Sequence, residues 1–152
     1  MPSEYERVPT ALRRDIAQQA KNRCEYCRCP DAFSPDSFTV DHIKPRQLGG
    51  ATIAENLAWA CFGCNGRKYT RTVYPDPQTG QEIALFNPRQ QIWAEHFDWS
   101  EDLTQLIGRT PCGRATIAAL ALNRPGVANL RRLLILAGLH PPDEYSKVAI
   151  NL

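Results

Sequence analysis

Two cysteine pairs, Cys24-Glu-Tyr-Cys27 and Cys61-Phe-Gly-Cys64, each with a two-residue spacer and with 33 residues between the pairs, constrain this chain more than any other feature. One tight turn sets two thiolates side by side, and two such turns complete the tetrahedral shell that zinc prefers. Zinc accepts four soft sulfurs at about 2.3 Å with no redox demand, and a filled shell leaves no open position. The expected site is therefore structural. Cys29 and Cys112 lack such a partner and are expected as small buried hydrophobes.

The chain has 152 residues, 43% hydrophobic and 22% charged, which suits one domain with a real core and argues against disorder. No apolar run of about 18 residues occurs. Residues 1–6 carry no export pattern, so the expectation is a soluble, cytoplasmic chain, free of membranes, whose thiols are reduced or metal-bound. The net charge of +2 is too small to name nucleic acid as a partner by itself. Residues 1–74 carry 11 Lys and Arg against 8 Asp and Glu, and residues 75–152 carry 7 against 8, so the modest surplus lies in the first half.

Leu12, Ile16 and Ala20 fall at helical spacing after Thr10, which predicts an amphipathic first helix. Residues 38–43 alternate like a strand, Leu48-Gly-Gly50 marks a turn, and residues 57–60 form a second short apolar strand. A polar helix is expected to begin at Asn65, just after the second cysteine turn. The order strand, loop, strand, cysteine turn, helix is a ββα unit. The turn-rich segment 75–80 suggests a division into residues 1–74 and an extension, 75–152, packed on it as one compact unit. In the extension, residues 83–86 read as a strand, Trp93, Phe97 and Trp99 as core aromatics, and residues 113–138 as two helices broken at Asn123-Arg-Pro125. His96 and His140 stand outside any chemical constellation.

Between the cysteine pairs lie Asp41-His42 and Asn56, and Asn65 follows the last cysteine directly. A carboxylate and an amide oxygen can hold a hard divalent ion, and an imidazole can deprotonate water near neutral pH. Neighbouring residues on a regular strand face opposite ways, so a bulge or bend is expected if Asp41 and His42 are to share one ion.

Cys24-x2-Cys27, Asp41-His-Ile-Lys-Pro45, Gly49-Gly50, Asn56-Leu57, Cys64-Asn65 and Lys68 together resemble the zinc-containing form of the HNH endonuclease family. The resemblance covers roughly residues 20–72. It implies an α+β fold with a ββα-metal core, and cleavage of DNA, with RNA left open and products bearing a 5′-phosphate and a 3′-hydroxyl. By the same resemblance His42 is the general base, Asp41 a ligand of the catalytic ion, and Asn56 the residue that fixes the loop and the angle of the imidazole. Asn65 stands where many members carry a final histidine. An amide oxygen is the harder ligand, so magnesium or manganese, held by Asp41 and Asn65, is the expected ion.

Lys68, expected on the first turn of its helix, and Lys44, Arg46, Arg67 and Arg71 are candidate phosphate contacts. Five arginines and no acid occur from Arg109 to Arg132, as either a continuation of a DNA-binding face or a solvated surface. Two other functions fit the same residues: a zinc-stabilised nucleic-acid-binding module without catalysis, and a structural zinc module for protein interaction. Oligomeric state is not set by the sequence.

Overall fold

The computed structural model describes residues 7–142. Helix α1 (Thr10–Gln19) buries Ile16, and Ala20 just beyond its end, while Leu12 packs at the edge of the core. Strands β1 (Thr39–His42) and β2 (Leu57–Ala60) pair antiparallel, Thr39 opposite Ala60 and His42 opposite Leu57. All four β2 residues are buried, since α1 packs on this strand. Arg13 of α1 lies 4.7 Å over the Trp59 ring and donates to the Phe38 carbonyl.

Helix α2 (Phe62–Lys68) completes the ββα unit, but begins three residues earlier than expected. Cys61 is its N-cap: the sulfur accepts the Cys64 amide at 3.4 Å, so the cysteine turn is itself the first helical turn. Lys68 is thereby the last residue of the helix and not part of its first turn.

Strands β3 (Val73–Pro75) and β4 (Glu82–Ala84) form a hairpin, so the expected boundary at residue 74 falls inside β3. Asp76 in its turn is wholly buried and receives Arg114 Nε at 2.9 Å and Nη2 at 2.8 Å, which holds the carboxyl well below the usual carboxylate range. That fork ties the hairpin to α4 (Pro111–Leu120). Between them the short helix α3 (Trp93–His96) leads into β5 (Phe97–Trp99), which pairs with β6 (Leu106–Gly108). Trp93 lies 5.1 Å from Phe97 and 5.5 Å from Trp99, ring centre to ring centre, and both partners are buried, as expected of core aromatics. Ala121 turns left-handed at φ 48° and ends α4, and α5 (Pro125–Leu136) follows. No helix among the described residues is long and apolar enough to cross a membrane.

Candidate functional site

The sulfurs of Cys24, Cys27, Cys61 and Cys64 lie within 4.8 Å of one another, with Cys27 Sγ and Cys61 Sγ 3.9 Å apart. A tetrahedron with zinc–sulfur bonds of about 2.3 Å spaces its sulfurs by about 3.8 Å, so the donor set fits zinc. Hydrogen bonds from Cys24, Cys27 and Cys64 hold the Cys61 thiol below its ordinary range. Glu25 fixes the first knuckle against β2, its amide donating to the Trp59 carbonyl at 2.8 Å and its carboxylate accepting the Trp59 amide at 2.7 Å. Arg89 pairs with the same carboxylate.

The β1–β2 ladder runs unbroken through Asp41 and His42, so the expected bulge is absent and the two side chains leave opposite faces. Asp41 faces inward and is 3% exposed. Its Oδ2 accepts the Tyr26 hydroxyl at 2.7 Å, and the Lys68 ammonium lies 3.2 Å from Oδ1 and 3.1 Å from Oδ2. Lys68 Nζ also donates to the His42 and Ile43 carbonyls at 3.2 and 3.1 Å. Burial pushes the Asp41 carboxyl up, with Lys68 and Tyr26 opposing it. Lys68 is therefore an interior counter-charge, 1% exposed, and its expected place on a phosphate-binding surface is corrected.

His42 emerges on the other face. Its Nε2 lies 2.9 Å from Thr52 Oγ1 and accepts Arg46 Nε–H at 3.2 Å, while Arg46 Nη2 donates to Thr52 Oγ1 at 3.1 Å. An arginine N–H requires a lone pair on Nε2, so the neutral ring carries its proton on Nδ1. Burial, then Arg46 and Lys68, lower the His42 pKa below its ordinary value. That lowering favours the neutral form of the imidazole.

Asn56 ties the ends of the intervening loop. Its Oδ1 accepts the Lys44 amide at 2.8 Å, and its Nδ2 donates to the Lys44 and Ala51 carbonyls at 3.0 and 2.9 Å. The loop so closed carries Arg46 and leads into Thr52. A Cβ on Gly50 would stand 1.7 Å from the Lys44 carbonyl oxygen, so only glycine permits this closure. Asn65 sits on the first turns of α2, half-buried, and its side chain makes no hydrogen bond among the described residues. Lys44, Arg67 and Arg71 are exposed; Arg67 and Arg71 donate to α2 carbonyls. His96 bonds Thr110 and His140 the Leu103 carbonyl, both away from this site.

The residues sequence reasoning missed are Tyr26, buried within the first cysteine turn, and Thr52, whose hydroxyl meets His42 Nε2.

Asp41 and the carbonyls beside it are hard oxygen donors of the type magnesium or manganese takes. Lys68 already supplies a cation to them, so the residues as folded do not fit a divalent ion in addition to that ammonium.

Residues 24–71, about a third of the chain, match the family model described as HNH endonuclease. The matched stretch contains both cysteine pairs, Asp41, His42, Asn56, Asn65 and Lys68. Comparison with curated proteins and with solved structures gives no match.

Proposed function

We propose that the protein is an HNH endonuclease that hydrolyses DNA phosphodiester bonds with His42 as general base. The observation that supports this most is the half-buried imidazole, shifted toward its neutral form, whose Nε2 lone pair is presented to a guanidinium and a hydroxyl. Arg46 is the cation nearest the base, and a phosphate that takes over its N–H donors frees Nε2 to accept a proton from water. The hydroxide formed attacks phosphorus, the bond to the 3′ oxygen breaks, and that oxygen takes a proton from solvent water to leave as a hydroxyl. Asn56 keeps Arg46 and Thr52 in place through the loop it closes. Exposed Lys44 and Arg67 add charge for the flanking phosphates.

Magnesium or manganese, when bound, would supply electrostatic stabilisation of the phosphate and the leaving oxygen. Asp41 and Asn65 are the holders expected from the sequence, but as folded Asp41 is paired with Lys68 on the face of the sheet opposite His42 and does not fit that ion. That same ion pair favours one other function, a zinc-stabilised nucleic-acid-binding module without turnover.

Nicking of supercoiled plasmid separates the two. With added magnesium or manganese, the wild-type chain is expected to nick, and His42→Ala to lose about 10²- to 10⁴-fold with zinc content and fold retained. Binding without cleavage by the wild type, across both ions, would assign the protein to the non-catalytic module.

A further inference from the structure

Two arginines of the C-terminal extension reach the zinc centre, and among the described residues neither has a carboxylate partner. Arg131 of α5 is completely buried. Its Nη1 donates to the Thr104 carbonyl at 3.0 Å and to Asn123 Oδ1 at 3.2 Å, and its Nη2 to the Cys27 and Leu122 carbonyls at 3.1 and 2.9 Å. Nε has no partner. Every acceptor is neutral, and a guanidinium withdrawn from water needs a negative charge close by to be tolerated.

Arg124, the N-cap residue of α5, points Nη2 at Cys61 Sγ (3.5 Å) and Cys64 Sγ (3.7 Å), and Nη1 at Cys64 Sγ (3.6 Å). Nη1 also donates to the Leu120 and Ala121 carbonyls at 3.1 and 3.2 Å, which anchors the guanidinium to the end of α4. A Cβ on Gly63 would lie 2.4 Å from Arg124 Nη2, so the glycine inside the second cysteine turn opens the approach.

Zinc with four thiolates carries a net double negative charge. We infer that Arg124 and Arg131 are the counter-ions of the zinc–tetrathiolate centre, and that the C-terminal helix docks on the HNH unit because they neutralise it. Two guanidiniums balance the centre's charge, and they reach both knuckles, Arg131 through the Cys27 carbonyl and Arg124 through the sulfurs of the second pair. Linkage is reciprocal: zinc favours the docked helix, and the docked helix tightens zinc.

Competition of the full-length protein with a chromogenic chelator for zinc reads the first half of this inference. Arg131→Met, which keeps length and removes charge, and Arg124→Gln are each expected to bind zinc about 10- to 100-fold more weakly, with Arg124→Lys recovering part of the loss. Cobalt(II) in place of zinc gives a signature that packing alone would not move. Loss of N–H···S bonds raises the sulfur lone pairs, so the sulfur-to-cobalt charge-transfer band of Arg124→Gln shifts to longer wavelength. Hydrogen exchange reads the second half, with α5 amides losing protection when zinc is stripped. Wild-type zinc affinity in the variants, an unmoved cobalt band, or α5 amides still protected in the stripped chain would each overturn the inference. If Arg131→Met does not fold, Arg124→Gln, at a half-exposed position, decides the matter alone.

Discussion

Replacing Lys68 with methionine tests the pair at the centre of the ββα unit. Lys68 and Asp41 have side chains 2% and 3% exposed, so solvent does little to screen either charge. Without the ammonium, Asp41 retains only the Tyr26 hydroxyl, and the His42 and Ile43 carbonyls lose a donor. Removing one partner of a buried pair costs about 3–5 kcal/mol, because the other charge is left uncompensated. At about 2–4 °C per kcal/mol for a chain of this size, the melting temperature should fall by about 6–20 °C. The loss should also depend on pH. Burial already raises the Asp41 carboxyl, and removing Lys68 raises it further, so the folded state binds the proton more tightly than the unfolded state. The stability of Lys68→Met then declines as pH rises from the unfolded value of about 3.8 through the folded one, and is lowest at neutral pH. Adding Asp41→Asn removes the stranded charge and should restore a few kcal/mol. Urea unfolding of the zinc-loaded chain at pH 5 and pH 8 measures all three. A single variant within about 1 kcal/mol of wild type at pH 8 would show that the ammonium does not stabilise Asp41.

Asn56→Ala removes three side-chain hydrogen bonds and should cost about 1–3 kcal/mol, with plasmid nicking reduced more than zinc binding; equal loss of both would argue against a loop-positioning role. Zinc removal should unfold the ββα unit, since structural zinc contributes about 10–16 kcal/mol, as much as a domain's entire stability; a chelated chain with an unchanged circular dichroism melt contradicts this. Burial takes the His140 pKa down from 6.5 to about 4, against the hydrogen bond to the Leu103 carbonyl and with Arg131 and Arg23 adding to the fall. Because the folded value is the lower one, stability is intact above about pH 6.5 and declines as pH drops toward 4. His140→Gln should flatten that part of the urea-derived stability profile, and an unchanged slope would place the titration elsewhere.

Elements with strong local signals were legible in the sequence: α1 from its apolar spacing, β2 from a four-residue apolar run, the zinc donors from their paired turns, and the α4–α5 break from Asn123-Arg-Pro125. Strands β3 and β6 were not, since three residues are too few for alternation to register against turn-forming neighbours. The start of α2 was misplaced because a cysteine sulfur serves as its cap, a role residue type alone assigns to Ser, Thr, Asp or Asn. That shift changes the chemistry. Starting the helix at Phe62 puts Lys68 at its end, within reach of Asp41 and the carbonyls after it, and so turns a presumed surface cation into an interior one. Strand parity does the rest: with no bulge at Asp41-His42, carboxylate and imidazole are separated by the sheet, one serving the core and the other facing the loop pinned by Asn56. The alternation rule already forbade a shared ion on a regular strand. The partners that hold the carboxylate on the core face, Tyr26 and Lys68, lie 15 and 27 positions away from Asp41, and only the folded chain brings them to it.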